Sequence, residues 1–148
     1  MDSIDKQILN IIQKDFPVVE EPFKTVADKV GLSEDEVLKR IRNLKEEGII
    51  RRIGAVFDSK KMGYASTLCA AKVPKEKVKK FVEVVNSYAG VTHNYRRSHE
   101  YNVWFTFIAS DEETLKKSLG EIRDKTGVTD IISMTATQTF KIDATFEL

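Results

Sequence analysis

Val91-Thr92-His93-Asn94-Tyr95-Arg96-Arg97-Ser98-His99-Glu100-Tyr101-Asn102-Val103-Trp104-Phe105-Thr106-Phe107-Ile108-Ala109 holds two β-prone runs around a short polar turn. Residues 91–97 and 101–109 predict an antiparallel hairpin. Upstream, Ala65 to Val73 is a strand pattern, and Pro74 suits the first turn of a helix. Val78, Phe81, Val82 and Val85 then recur at helical spacing, and Gly90 ends the connection. Downstream, Ser110 and Glu113 have capping-box spacing. The helix they open carries Leu115, Leu119 and Ile122 and stops near Gly127. A last strand is expected over residues 129–141, with Thr135, Thr137 and Thr139 on one face and Met134, Ala136 and Phe140 on the other. Strand, helix, hairpin, helix, strand is the ferredoxin-like βαββαβ order. Two helices cover one face of such a sheet. The other face, left with apolar residues, is expected to meet a second subunit.

The front of the chain has a different period. Ile4, Ile8, Ile11 and Ile12 predict a helix over residues 3–14, and Pro17 and Pro22 bracket a break. Phe23, Val26, Ala27 and Val30 give a second short helix that stops at Gly31. Ser33 and Glu36 form a capping box for a third, which carries Val37, Ile41 and Leu44 and ends at Gly48. Three short helices with a tight second turn read as a helix-turn-helix. Residues 49–57 are expected to be a strand or wing, and residues 60–63 the hinge. The expected fold class is α+β, in two domains, residues 1–60 and 61–148.

Composition narrows the function classes. There is no run of about 18 apolar residues, so no membrane helix is expected. The acidic opening Met1-Asp2-Ser3-Ile4-Asp5 has no signal-peptide pattern, and Cys69 is the only cysteine. A cytoplasmic protein is expected. The whole chain has a net charge of +1. Residues 1–58 carry ten basic against twelve acidic side chains, a net of −2. A domain that neutralises DNA phosphates usually has the opposite balance, so DNA binding is not expected.

The hairpin contains both histidines of the chain and its one tryptophan, beside Arg96 and Arg97. Strand alternation puts His93, Tyr95 and Arg97 on one side and Asn94 and Arg96 on the other. Arginine suits bidentate recognition of carboxylates, histidine titrates near neutral pH, and Tyr and Trp offer flat surface. Together these residue types suggest a planar, polycarboxylated ligand. The plainer alternative is an exposed β ladder with an ion pair to Glu100. Arg51-Arg52 is a second candidate, with a wing touching phosphate or solvent as its alternative. Lys75, Lys77, Lys79 and Lys80 read as the solvated face of their helix.

Asp5-Lys6-Gln7-Ile8-Leu9, Gly31-Leu32-Ser33, Val37-Leu38-Lys39-Arg40-Ile41, Leu44 with Gly48-Ile49-Ile50, and Gly63 resemble the Lrp/AsnC regulators over nearly the whole chain. That resemblance implies a winged helix-turn-helix followed by a ferredoxin-like Lrp/AsnC-type domain for ligand binding and dimerisation. Two features depart from a plain regulator. Ser33-Glu34-Asp35-Glu36 is acidic where a reading helix meets DNA, and Arg97-Ser98-His99-Glu100 stands where the effector turn carries a Gly-Asp-type segment.

Phe16-Pro17, Pro22-Phe23, Gly48 to Ala55, Gly63-Tyr64, Gly90 to Arg97 and Tyr101 to Thr106 are similar to the sirohaem decarboxylases, a branch of that family. His93-Asn94-Tyr95-Arg96-Arg97 and Tyr101-Asn102-Val103-Trp104-Phe105-Thr106 are the specific part. The resemblance implies removal of two acetate carboxyls from sirohaem, giving 12,18-didecarboxysirohaem, in the alternative haem or haem d1 route. It implies a homodimer or a heterodimer with a homologous subunit. The family motif points to His93 first and His99 second as proton donor, and either is alternatively a ligand to the substrate iron. Arg96 and Arg97, with Arg51 and Arg52 from the front half, would clamp carboxylates. Asn94 and Asn102 would orient groups or cap the hairpin. Tyr95 and Trp104 would form a less polar wall beside the reacting acetate, since clamping the scissile carboxylate stabilises the ground state. No added cofactor is implied, because iron enters with the substrate. Two other readings share the fold: a DNA-binding regulator with a small-molecule effector, and a haem-binding module without catalysis.

Overall fold

A computed structural model describes residues 1–143 and 145–148. The chain divides into two units, residues 1–55 with 141–148, and residues 56–140. The expected boundary at residue 60 therefore moves slightly forward, and the C-terminal eight residues part from the second domain. The Gln13 side chain explains their place. Its amide nitrogen donates to the Phe146 carbonyl at 2.6 Å, and its oxygen accepts from the Phe146 N–H at 3.0 Å.

The first unit is three helices, α1 (Ser3–Lys14), α2 (Pro22–Val30) and α3 (Glu34–Glu46). Their apolar faces meet in one core of Ile8, Leu9, Val26, Ala27, Val37, Ile41, Leu44 and Ile50. The reciprocal capping box is at α1, where Asp2 and Asp5 each accept from the other's N–H at 2.8 Å. At α3 only half of the expected box forms. Ser33 accepts from the Glu36 N–H, while the Glu36 carboxylate turns to Arg40. Residues 49–57 form no strand, so the expected wing is absent and Arg51-Arg52 lies on irregular chain.

The second unit is β1 (Ala65–Ala71), α4 (Val78–Asn86), β2 (Val91–Arg96), β3 (Val103–Ala109), α5 (Glu112–Thr126) and β4 (Ile131–Met134). The sheet order is β2-β3-β1-β4, all antiparallel. Alternation along β3 sorts the side chains cleanly. Val103, Phe105, Phe107 and Ala109 point into a core with Cys69, Ala71, Phe81, Val85, Leu115, Leu119 and Ile122. Phe81 meets Phe105 edge-on, with ring centroids 6.2 Å apart.

Several expected boundaries change. The last strand stops at Met134, so the alternation of Thr135, Thr137 and Thr139 is not strand register. Tyr101 and Asn102 lie outside β3, and Arg97 lies just beyond β2. The cap of α5 is Asp111, not Ser110. Its carboxylate accepts from the Thr114 N–H at 2.7 Å and from the Ser110 hydroxyl at 2.6 Å. These bonds hold its carboxyl well below the usual range, at about 2. Among the described residues no helix is long and apolar enough to cross a membrane.

Candidate functional site

The hairpin presents its chemistry on the sheet face that carries no helix. The register pairs His93 with Thr106 and Tyr95 with Trp104, whereas Asn94 pairs with Phe105 and Arg96 with Val103. Residues paired across antiparallel strands share a face. His93, Tyr95, Trp104 and Thr106 therefore stand together on the open side. Asn94 and Arg96 stand on the helix side.

A bulge sets this phase. The register slips between Val91 and His93, so Thr92 and His93 both stand opposite Thr106. Unbroken alternation would put Val91 on the same side as His93. The extra residue lets Val91 pair with Phe107 and pack on the core while His93 faces out. Gly90 anchors the bulge. Its carbonyl accepts from the Ile108 N–H at 2.8 Å, so closely that no Cβ fits between.

Each group on the open face has defined neighbours. The His93 ring stacks on Tyr95, centroids 6.1 Å apart and planes 26° apart. Its Nδ1 lies 3.1 Å from the Thr92 hydroxyl and 3.3 Å from that of Thr106, and the two hydroxyls are 2.8 Å apart. The Arg97 guanidinium sits 5.6 Å from the centre of the Trp104 ring, a cation–π contact that keeps a cation beside a flat apolar surface. The Trp104 indole N–H donates to the Tyr101 carbonyl at 2.7 Å, which fixes the ring. Tyr95 remains half exposed.

Other expected site residues have different work. Asn102 clamps the end of β1: its oxygen accepts from the Val73 N–H and its amide donates to the Val73 carbonyl, both at 2.9 Å. Asn94 donates to the Asn86 side chain at the end of α4, 2.9 Å away. His99 belongs to the turn, where its Nδ1 accepts from the Tyr101 N–H at 3.1 Å. Glu100 pairs with Lys72, not with Arg96 or Arg97. That hydrogen-bonded pair lowers the Glu100 carboxyl and raises the Lys72 ammonium. Arg51 and Arg52 are exposed and belong to the first unit, and Arg52 donates to the Ala55 carbonyl of its own segment. Thr92 and Thr106 were not anticipated as site residues. The signal that could have found them is the bulge, and a bulge has no mark in strand periodicity.

A cavity of about 520 Å³ lies elsewhere in the second unit, lined by residues such as Tyr64, Ser66, Lys116, Leu119, Arg123 and Ser133. The hairpin face is an open surface. Among the described residues no group of three His, Cys, Asp or Glu side chains is placed to hold a metal ion.

Residues 5–51 match the siroheme decarboxylase NirDL-like HTH domain, and residues 61–141 match the AsnC-like ligand binding domain. The "Siroheme decarboxylase alpha subunit" of Oleidesulfovibrio alaskensis is 51% identical over 148 residues, all of this chain and 90% of that protein. The chain belongs to the sirohaem decarboxylase family. A second member, the "Siroheme decarboxylase NirD subunit" of Pseudomonas aeruginosa, is 38% identical over all of this chain and 97% of its own length. The crystal structure of the siroheme decarboxylase NirDL superposes with a TM-score of 0.71 at 38% identity. It covers 98% of this chain, which spans 47% of the NirDL chain. The leucine response regulatory protein of Mycobacterium tuberculosis superposes over its full length with a TM-score of 0.83 at 20% identity, which shows a shared fold. The expected helix-turn-helix plus ferredoxin-like Lrp/AsnC architecture and the expected family thus both hold.

Proposed function

We propose that this chain is a subunit of a sirohaem decarboxylase that removes two acetate carboxyls and yields 12,18-didecarboxysirohaem. The observation that carries the reading is the open face of the hairpin, with a histidine, two aromatic rings and an arginine on one side of two strands. A relative crystallised with an iron-uroporphyrin III analogue, the siroheme decarboxylase NirDL, supports a macrocyclic ligand.

A flat macrocycle lies against Tyr95 and Trp104, and Arg97 takes one of its peripheral carboxylates. Arg96, on the other side of the strand, can serve only a group that hangs over the sheet edge. The reacting acetate is left unclamped near the aromatic wall. Its C–C bond breaks, CO₂ leaves, and the electron pair left on the methylene spreads into the conjugated ring. His93 then delivers a proton from Nε2 to that carbon, forming the new C–H bond. Iron arrives as part of the substrate, and no further cofactor takes part. If His93 instead ligates that iron, proton delivery falls to His99.

One open face needs a cover. Leu68, Ile132 and Met134 share the face with the hairpin residues and stay partly exposed. A second subunit, identical or homologous, closes over them and screens the site from water. Relatives named as alpha and NirD subunits support a multi-subunit enzyme. The first unit does not read DNA in this proposal. The first turn of α3 carries Glu34, Asp35 and Glu36, and Arg40 is held by Asp2, Asp5 and Glu36.

Anaerobic incubation with sirohaem, with mass spectrometry for loss of one and two CO₂, tests the reading. Product from the chain alone or with a homologous subunit supports it. Tight binding without product in either case points to a haem-binding module. No binding, with salt-dependent binding of duplex DNA, would establish a regulator instead.

A further inference from the structure

We infer that Thr92 and Thr106 form a hydroxyl clamp that holds a proton on Nδ1 of His93, leaving Nε2 as the atom that exchanges protons with substrate. This inference rests on His93 being the proton donor. Three atoms make three close contacts: Nδ1 to Thr92 Oγ1, Nδ1 to Thr106 Oγ1, and hydroxyl to hydroxyl. Two hydroxyl protons alone satisfy only two of the three. If Nδ1 accepts from one threonine, its lone pair faces the other threonine's oxygen with no proton between them. If Nδ1 carries a proton, it donates to both oxygens at once, and one hydroxyl donates to the other. All three contacts are then satisfied.

The chemistry follows from that tautomer. The cationic ring gives its Nε2 proton to the methylene carbon and becomes the neutral Nδ1–H form that the hydroxyls already favour. Solvent restores the proton at Nε2 for the second decarboxylation. Stacking on Tyr95 fixes the ring plane, and the threonine pair fixes its rotation about that plane. The bulge is what makes the clamp, because only there do two consecutive residues share a face. Thr106 is thus a positioning residue that acts through His93.

The test uses the full chain, untagged and labelled with nitrogen-15 in its histidines. Only two imidazoles contribute, and the His93→Gln variant assigns them. Neutral His93 should give the Nδ1–H pattern. In Thr106→Val the Nε2–H pattern should grow, with kcat falling about tenfold at unchanged KM. Thr106→Ser should restore both. Thr92→Val, at a more exposed position, should shift the spectrum the same way. An Nε2–H pattern in the parent protein, or a Ser variant no better than Val, would overturn the clamp. Full turnover by His93→Ala beside an Nδ1–H spectrum would refute the donor reading instead, and the catalytic part of this inference with it.

Discussion

Replacing Gly90 by alanine drives a methyl group into the Ile108 carbonyl oxygen and to 2.8 Å from Cε2 of Phe107. Neither neighbour can step aside cheaply. The carbonyl is main chain in the middle of the sheet, and the Phe107 ring is buried against Tyr88, centroids 5.7 Å apart. Overpacking of this kind costs about 1–3 kcal/mol. The Ile108 N–H to Gly90 carbonyl bond must open as well, for about 1 kcal/mol more. A less flexible unfolded chain offsets about 0.4–1 kcal/mol. The net loss is about 1–3.5 kcal/mol. For a unit the size of residues 56–140, that lowers Tm by about 5–25 °C. Trp104, the only tryptophan, lies in this unit, so its fluorescence follows the right transition. Gly120→Ala is the control: nothing stands within 4 Å of its Cβ, and the position is inside α5. There alanine should be neutral or stabilising by up to about 1 kcal/mol. A Gly90→Ala protein that melts within about 2 °C of the parent would refute the close approach, and with it the account of how the bulge is held.

His93→Ala should abolish CO₂ release while sirohaem binding, followed by its absorbance spectrum, survives; unchanged turnover would exclude His93 as the donor. Asn102→Ala removes both bonds to Val73 and should lower stability by about 1–3 kcal/mol in urea unfolding. The Asp111 carboxyl is held down to about 2, so its cap contributes above the ordinary carboxylate value and is lost as pH falls from about 4 towards 2. An Asp111→Asn protein should show a flatter stability profile across that window. Cys69 is fully buried and its thiol is pushed up to about 12 by burial, so iodoacetamide at pH 8 should label it only after unfolding.

Much of the fold is legible from periodicity. The helix over residues 3–14, the Phe81 and Val85 stripe of α4, and the order strand, helix, hairpin, helix, strand follow from apolar spacing and from the stops at Gly31, Gly48 and Gly127. Failures fall where a local rule has two solutions. Ser110 and Asp111 are both good caps, and the one whose carboxylate reaches the Thr114 N–H wins. Residues 135–141 alternate like a strand, but strand pairing beside β1 ends at Met134. Residues 49–57 are β-prone and find no partner strand among the described residues.

The candidate site divides in the same way. Composition by itself brought histidine, arginine and aromatic rings into one hairpin, and alternation by itself separated His93, Tyr95 and Arg97 from Asn94 and Arg96. Neither could say which of those two sets faces solvent. Val91 prefers the core and His93 does not, yet simple alternation puts them on one side. One extra residue resolves the conflict. It is accommodated because the glycine at position 90 lets the main chain close on Ile108, and because two threonine hydroxyls satisfy each other and the ring. That choice depends on contacts between strands more than ten residues apart, so it is made by packing and hydrogen bonding across the sheet and leaves no trace in the order of residues along one strand.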